Sequence, residues 1–139
     1  MASARENDLN PDVYIGLKLP FTRDRAGLFG QTETTLEQAG YNIQNLLLTA
    51  KGERVMQPDF GSDLRALLFE QHTDDLERRV EEAVIDSVST WLPYVKVYTI
   101  NIIQKDNTPN TMNVDIKFSL NYEPNRFNTT TLSVESEQE

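Results

Sequence analysis

Apolar positions along the chain keep two different periods. From Thr34 to Ala50 they recur at gaps of three and four (Leu36, Ala39, Ile43, Leu46, Leu47, Ala50), which predicts an amphipathic helix. Thr34 with Glu37 matches a capping box at its start. Lys51 and Gly52 supply a cation for the last turn and a glycine for the position after it. A short second helix is predicted over "DLRALLFE", capped by Ser62. A longer third one follows Thr73, with Leu76, Val80, Ala83, Val84, Val88 and Trp91 on one face. Asp74 with Arg78 and Asp75 with Arg79 are placed to pair along it, and Pro93 stops it.

Beyond Pro93 the period becomes two. "VKVYTINII" (95–103) is rich in β-branched residues and puts Tyr98, Ile100 and Ile102 on one side. Met112, Val114, Ile116, Phe118, Leu120 and Tyr122 alternate with polar residues, which predicts a half-buried strand ended by "EPN". "FNTTTLSVES" supplies a third, weaker strand. Helices first and an antiparallel meander last define an α+β fold, with N-terminal helices packed on one face of a small C-terminal antiparallel sheet. Ahead of these, "VYIGLKLPF" (13–21) reads as a short extended segment and "TRDRAGLFGQTE" as loop. Residues 1–12 are expected to form a flexible N-terminus, 13–134 a single domain and 135–139 an acidic tail.

The chain has 139 residues and a formal net charge of −9, with no run of apolar residues long enough to span a bilayer. Its few cations are dispersed among carboxylates, which argues against nucleic acid and anionic membranes as partners. Without cysteine, and with His72 as the single histidine, neither thiolate nor His-rich metal sites are available, and no cofactor is implied.

Candidate chemistry concentrates in "TAKGERVMQPDFGSDL", residues 49–64, between two apolar runs. A phosphate cradle needs closely spaced glycines followed by Lys and Ser or Thr; Gly52 and Gly61 are separated by Pro58 and no Lys follows. Glu53, Asp59, Asp63 and Glu70 offer carboxylates for a cell-wall glycoside hydrolase, which works with two such groups at a set separation. Each also has a local reading: an ion pair for Glu53, an Asx-type turn for Asp59, a helix start for Asp63. The architectural reading makes "GERVMQPDFG" a rigid corner, with Arg54 lying across it to bond carbonyls or carboxylates.

Thr49, Lys51, Gly52, Arg54, Pro58, Asp59, Phe60, Gly61, Leu64, Leu68, Phe69 and Glu70 together form a T-x-K-G-x-R stretch, a proline, D-F-G and an L-x-x-x-L-F-E run. This pattern resembles the signature of the baseplate wedge and sheath-initiator family of contractile-tailed bacteriophages, which is shared with type VI secretion baseplates and carries an old phage-lysozyme label. One departure stands out: where many relatives have Glu-Pro-Arg after the long helix, this chain has Leu92, Pro93 and Tyr94, so an apolar contact is expected there in place of a salt-bridged one.

The resemblance implies a structural protein of the virion's tail baseplate, assembled in the host bacterial cytoplasm and present in six copies. It implies sheath subunits, other wedge proteins and the tail tube as partners. Sheath strands are expected to add to the last strand at Thr129, Thr130, Thr131, Leu132, Ser133 and Val134, with Leu92, Pro93 and Tyr94 as a second contact. The corner Lys51, Gly52, Glu53, Arg54, Pro58, Asp59, Phe60 and Gly61 is expected to be structural. The alternative is a lysozyme-like hydrolase associated with the baseplate.

Overall fold

A computed structural model describes residues 4–10, 12, 14–18, 23, 29–70, 75–104 and 111–135. The order is α1 (Ala4–Asp8), β1 (Gly16–Leu17), β2 (Gln31–Thr32), α2 (Thr35–Leu48), α3 (Leu64–Leu68), α4 (Leu76–Trp91), β3 (Val95–Gln104), β4 (Thr111–Leu120) and β5 (Glu123–Glu135). The fold is α+β, with the principal helices preceding a three-stranded antiparallel sheet in the order β3-β4-β5. The chain divides into two compact units, Met1–Asn42 and Ile43–Glu139, with the division inside α2.

In the first unit β1 and β2 pair antiparallel, Gly16 opposite Thr32 and Leu17 opposite Gln31. Gln31 and Thr32 thus form a strand inside a stretch expected to be loop, because a short antiparallel partner satisfies the backbone that a loop would leave to water. The start of α2 keeps half of the expected capping box. Thr34 Oγ1 accepts the Glu37 N–H (3.2 Å), but the Glu37 carboxylate reaches one residue further back, to the Glu33 N–H (3.2 Å). A second carboxylate joins from α1: Asp8 Oδ1 accepts both the N–H (2.7 Å) and the hydroxyl (2.8 Å) of Thr35.

The second unit is organised by β4, which pairs along its length with β3 on one side and β5 on the other. Met112, Val114, Ile116, Phe118 and Leu120 are all buried on the face expected from their alternation. Leu132 and Val134 of β5 continue this layer. The C-terminal half of α2 contributes Ile43, Leu46 and Leu47 to the core; α3 adds Leu64 and Leu68, and α4 adds Leu76, Val80, Val84 and Val88. A polar clip joins helix and sheet, since the Gln44 side-chain amide donates to Thr130 Oγ1 (2.8 Å).

Three element boundaries differ from the pattern-based expectation. α2 stops at Leu48 rather than running to Lys51, because Ala50 leaves the helix: its N–H goes to the Glu53 carboxylate (2.9 Å) and it bridges Ser62. Asp63 holds the N-cap position of α3 but makes no side-chain capping bond, while the Ser62 hydroxyl, one residue earlier, accepts the Leu64 N–H (3.4 Å). β4 ends at Leu120 and turns through Asn121 and Tyr122, so Glu123, Pro124 and Asn125 belong to β5, which is 13 residues long rather than a weak strand from Phe127. Pro124 is tolerated there because β5 lies on the sheet edge, where a missing N–H costs no ladder bond.

The inward row of β3 also differs. A bulge between Val97 and Thr99 shifts the register, so Val95, Val97, Ile100 and Ile102 face the core side while Tyr98 is 42% exposed. The outer position lets Tyr98 pack edge-to-face on Phe127 of β5, with ring centroids 4.9 Å apart. In α4, Arg78 pairs with Asp75 (3.8 Å) and Glu82 (3.0 Å), and Arg79 turns to Glu70 instead of Asp75. Thr73, Asp74 and His72 lie outside the described residues, as do Pro20, residues 105–110 and tail residues 136–139.

Phe118 has no exposed surface and lies on the central strand. Phe118→Ala is expected to lower unfolding free energy by about 3–5 kcal/mol. Ile103→Ala, at an exposed outward position, is expected to change it by less than about 0.5 kcal/mol. Urea denaturation of both variants checks the pair of values.

Candidate functional site

Residues 49–63 form a closed loop between α2 and α3. Its neck is the parallel bridge of Ala50 with Ser62, reinforced by the Ser62 N–H to the Thr49 carbonyl (2.9 Å) and the Ser62 hydroxyl to the Leu47 carbonyl (2.9 Å). Inside the neck, the Gly52 N–H donates to the Pro58 carbonyl (2.7 Å) and the Phe60 N–H to the Gln57 carbonyl (3.1 Å). The Glu53 carboxylate accepts the Ala50 N–H (2.9 Å) while the Glu53 N–H returns to the Ala50 carbonyl (3.2 Å), and Lys51 pairs with Asp63 (3.2 Å). Two of the terminal carbonyls of α2, those of Asn45 and Leu47, are met by the hydroxyls of Thr49 and Ser62.

Two glycines set the backbone here. Gly52 has φ +86° with open space at the Cβ position. Gly61 has φ +126°, and a Cβ there would lie inside contact distance of the Thr49 carbonyl oxygen and 2.9 Å from the Ala50 carbonyl carbon. Only glycine meets both demands at position 61. From the far side, the Ser87 hydroxyl of α4 donates to the Gly61 carbonyl (3.4 Å).

Phe60 turns inward from the loop and meets Trp91 edge-to-face at 5.1 Å. The Arg54 guanidinium lies over the outer face of the Phe60 ring, 4.2 Å from its centroid. This cation–π contact replaces the expected bonds to carbonyls or carboxylates. Val55 and Met56 form the loop's tip, 94% and 92% exposed. The sequence carried a signal for this that the reading missed: two adjacent apolar residues in an otherwise polar turn, outside either helical face.

Three of the four carboxylates considered for hydrolysis have local partners. Glu53 is turned to its own loop, Asp63 to Lys51 and Glu70 to Arg79, and all four, Asp59 included, are exposed. Asp59 and Asp63 border an open groove of about 420 Å³ beside α4, with Glu82, Asp86 and Trp91 opposite. Among the described residues no group of three or more His, Asp or Glu side chains is placed to hold a metal ion, and no helix is long and apolar enough to cross a membrane.

The remaining candidate positions lie at the two ends of the sheet. Leu92, Pro93 and Tyr94 form the turn from α4 into β3, tied to the β4–β5 turn by the Asn121 side-chain amide to the Pro93 carbonyl (2.9 Å) and the Asn121 N–H to the Tyr94 carbonyl (3.0 Å). Pro93 is exposed, and Leu92 and Tyr94 are half-buried. On β5, Thr130, Leu132 and Val134 point into the core, while Thr129, Thr131 and Ser133 are exposed on the other face. Thr131 Oγ1 bonds Asp115 (2.6 Å) and Ser133 Oγ bonds Asn113 (2.9 Å), both across to β4. The backbone edge of β5 away from β4 pairs with no strand among the described residues.

The arrangement is a helix-covered antiparallel sheet whose edge strands β3 and β5 each lack a second neighbour among the described residues, next to a loop in which Glu53 serves the backbone and Asp63 pairs with Lys51, a form compatible with a scaffold. Comparison with known proteins agrees with this class. The family described as baseplate wedge protein gp25 matches residues 35–125, and the chain belongs to that family. The baseplate wedge protein gp25 of Enterobacteria phage T4 is 29% identical over 121 residues, covering 84% of each chain. Two solved structures share the fold. A candidate tail lysozyme from Geobacter sulfurreducens superposes with a TM-score of 0.64 at 20% identity, over 73% of this chain and 91% of that one. A chain of the anti-feeding prophage baseplate, determined with 6-fold symmetrisation, gives 0.55 at 16% identity, over 88% and 85%. The resemblance read from residues 49–70 is borne out at the level of the family.

Gly61→Ala combines a disfavoured φ with a backbone clash and is expected to cost more than about 2 kcal/mol of stability. Gly52→Ala keeps open space and is expected to cost about 1 kcal/mol. Arg54→Ala is expected to cost about 0.5–1 kcal/mol, the worth of an exposed cation–π contact. Chemical denaturation of the three variants gives the ranking, and Arg54→Ala as the most damaging would place the strain elsewhere.

Proposed function

We propose that this chain is a non-catalytic structural subunit of a contractile-tail baseplate wedge, and that it starts sheath assembly by accepting a strand on the open edge of β5. The observation that carries this reading is the regular run from Phe127 to Glu135, paired without interruption to Ser119–Thr111 on one side. Unpaired N–H and C=O groups along such an edge form a template for a further strand, and a strand added there would exchange its bonds for those that Asn128 makes to the Thr129 N–H (2.9 Å) and Gln44 to the Thr131 carbonyl (3.3 Å). β3 is the less suitable edge, since its bulge at Tyr98 breaks the repeat in mid-strand. Thr130, Leu132 and Val134 are already buried, so the edge is stable before a partner arrives and offers mainly its backbone.

Within this reading the gp25 relative of phage T4 supports a place in the virion's tail baseplate, and the symmetrised anti-feeding prophage baseplate supports six copies. The loop from Lys51 to Gly61 acts as a fixed corner, with the turn Leu92-Pro93-Tyr94 as an apolar contact for another wedge protein. Sheath subunits, neighbouring wedge proteins and the tail tube are the partners. The hydrolase alternative receives no support from the carboxylates, whose local bonds account for three of the four.

A seeding assay tests the proposal. Tail tubes, sheath subunits and the neighbouring wedge proteins of the same particle are mixed with or without this chain, and ordered sheath is scored by electron microscopy. Thr129→Lys/Thr131→Lys guards the edge with charge at two exposed positions and leaves the core untouched. Sheath growth is expected to require the chain and to fail with this folded variant. Growth without the chain would remove the initiator role, and growth with the edge-guarded variant would remove strand addition at β5.

A further inference from the structure

The outer face of the sheet, away from the helices, carries a cation–aromatic patch at the end nearest the β4–β5 turn. Lys96 Nζ lies 5.2 Å from the centroid of Tyr98, Tyr98 packs on Phe127 at 4.9 Å, and Lys117 Nζ lies 4.7 Å from the centroid of Phe127. All four side chains are exposed, Tyr98 by 42% and Phe127 by 45%. Among the described residues neither lysine forms an ion pair, in a chain whose formal net charge is −9. The nearest carboxylate along the same face of β4, Asp115, is engaged by the Thr131 hydroxyl at 2.6 Å.

A second observation lies in the same row. Ser119 sits between Lys96 of β3 and Phe127 of β5 in the register, is fully buried, and its hydroxyl makes no hydrogen bond among the described residues. A buried donor without an acceptor is costly and uncommon. It marks this row as polar ground covered by the aromatic and lysine side chains, with an acceptor missing.

We propose that this patch docks an acidic, extended segment of another protein, its carboxylates taken by Lys96 and Lys117 and its backbone or side-chain oxygens by Ser119 once the rings part. The spacing favours an extended ligand. Lys96 and Lys117 are diagonal neighbours on adjacent strands, about 7–8 Å apart at the backbone, and alternate residues of an extended chain are about 6.6 Å apart. A Glu-x-Glu segment therefore meets both ammonium groups on one side. The two rings hold the lysine stems in place, so little freedom is lost on binding. The site differs from the β5 edge, and its occupancy is independent of strand addition there.

The test uses the full chain and three fluorescent probes: a peptide of alternating Glu and Thr, the same peptide with Lys for Glu, and a single-stranded oligonucleotide. Anisotropy is read at low and at physiological salt, and the site is located by amide shift changes in nuclear magnetic resonance spectra. The Glu peptide is expected to bind, to shift residues 96–98, 117–119 and 127, and to weaken with salt. Lys96→Gln/Lys117→Gln is expected to weaken it about tenfold or more, with folding unchanged because both positions are exposed. Ser119→Ala, which keeps both cations, is expected to weaken it by a smaller factor. Failure of the Glu peptide to bind, equal binding by the double variant, or tighter binding of the Lys peptide or the oligonucleotide would each overturn the proposal. Sheath seeding by the Lys96→Gln/Lys117→Gln variant separates this site from the β5 edge, since growth there is expected to persist.

Discussion

Burial of one parity of β4 is the constraint on which the second unit depends. Every apolar residue from Met112 to Leu120 is buried, and the strand is paired on both sides, so a slip of one residue against either neighbour would turn the whole row to water. That penalty fixes β3 and β5 in register at once. It also leaves the sheet's two edges as the places where irregularity can collect. The bulge at Tyr98 is on one of them and the shifted start of β5, with Pro124, is on the other.

The loop between α2 and α3 applies the same economy to the backbone. Its neck joins the end of one helix to the beginning of the next through Thr49, Ala50 and Ser62, so hydrogen bonds fix where α3 starts while burial of Leu64 and Leu68 holds it on the core. Gly61 permits that approach, and Phe60 anchors the loop on Trp91 of α4. The D-F-G part of the signature thus has a separate physical reason at two of its positions: an aromatic to reach α4 and a glycine to let two backbones meet. Asp59 has no such bond and borders the open groove.

Where sequence patterns are long and regular, they predicted this structure well. The alternation of β4 and the three-four spacing of α2 and α4 placed their elements and their buried faces, because burial of a whole row outweighs any single local preference. Boundaries were less legible because single hydrogen bonds decide them. Ala50 ends α2 early by giving its N–H to Glu53 and bridging Ser62, and a two-residue turn at Asn121–Tyr122 moves "EPN" from breaker to strand. The bulge at Tyr98 was invisible for another reason: "VKVYTINII" has apolar or β-branched residues at both parities, so either face could have been the buried one. Of the candidate site, the motif residues were recognised as a corner from their composition, but the partner chosen by Arg54 was not. A guanidinium's preference for an aromatic face over a carboxylate depends on which ring the fold brings beneath it.

The strand addition proposed at β5 requires an open edge that is nevertheless kept from its own copies. The described part of β5 meets this conflict by dividing its faces. Thr130, Leu132 and Val134 are committed to the core, and the other parity presents Thr129, Thr131 and Ser133, with Thr131 and Ser133 tied to β4 by their hydroxyls. No apolar side chain beyond Phe127 is therefore on offer to a second copy along the outer face, and any strand that adds gains chiefly backbone hydrogen bonds. Those bonds are the same for every sequence, so discrimination has to come from elsewhere. A formal charge of −9 makes two copies repel at the distances where edges would meet, and it favours a partner that brings positive charge or binds a local cationic patch. Openness of the edge and acidity of the chain are in this sense one design: the first supplies affinity without choice, and the second supplies the choice.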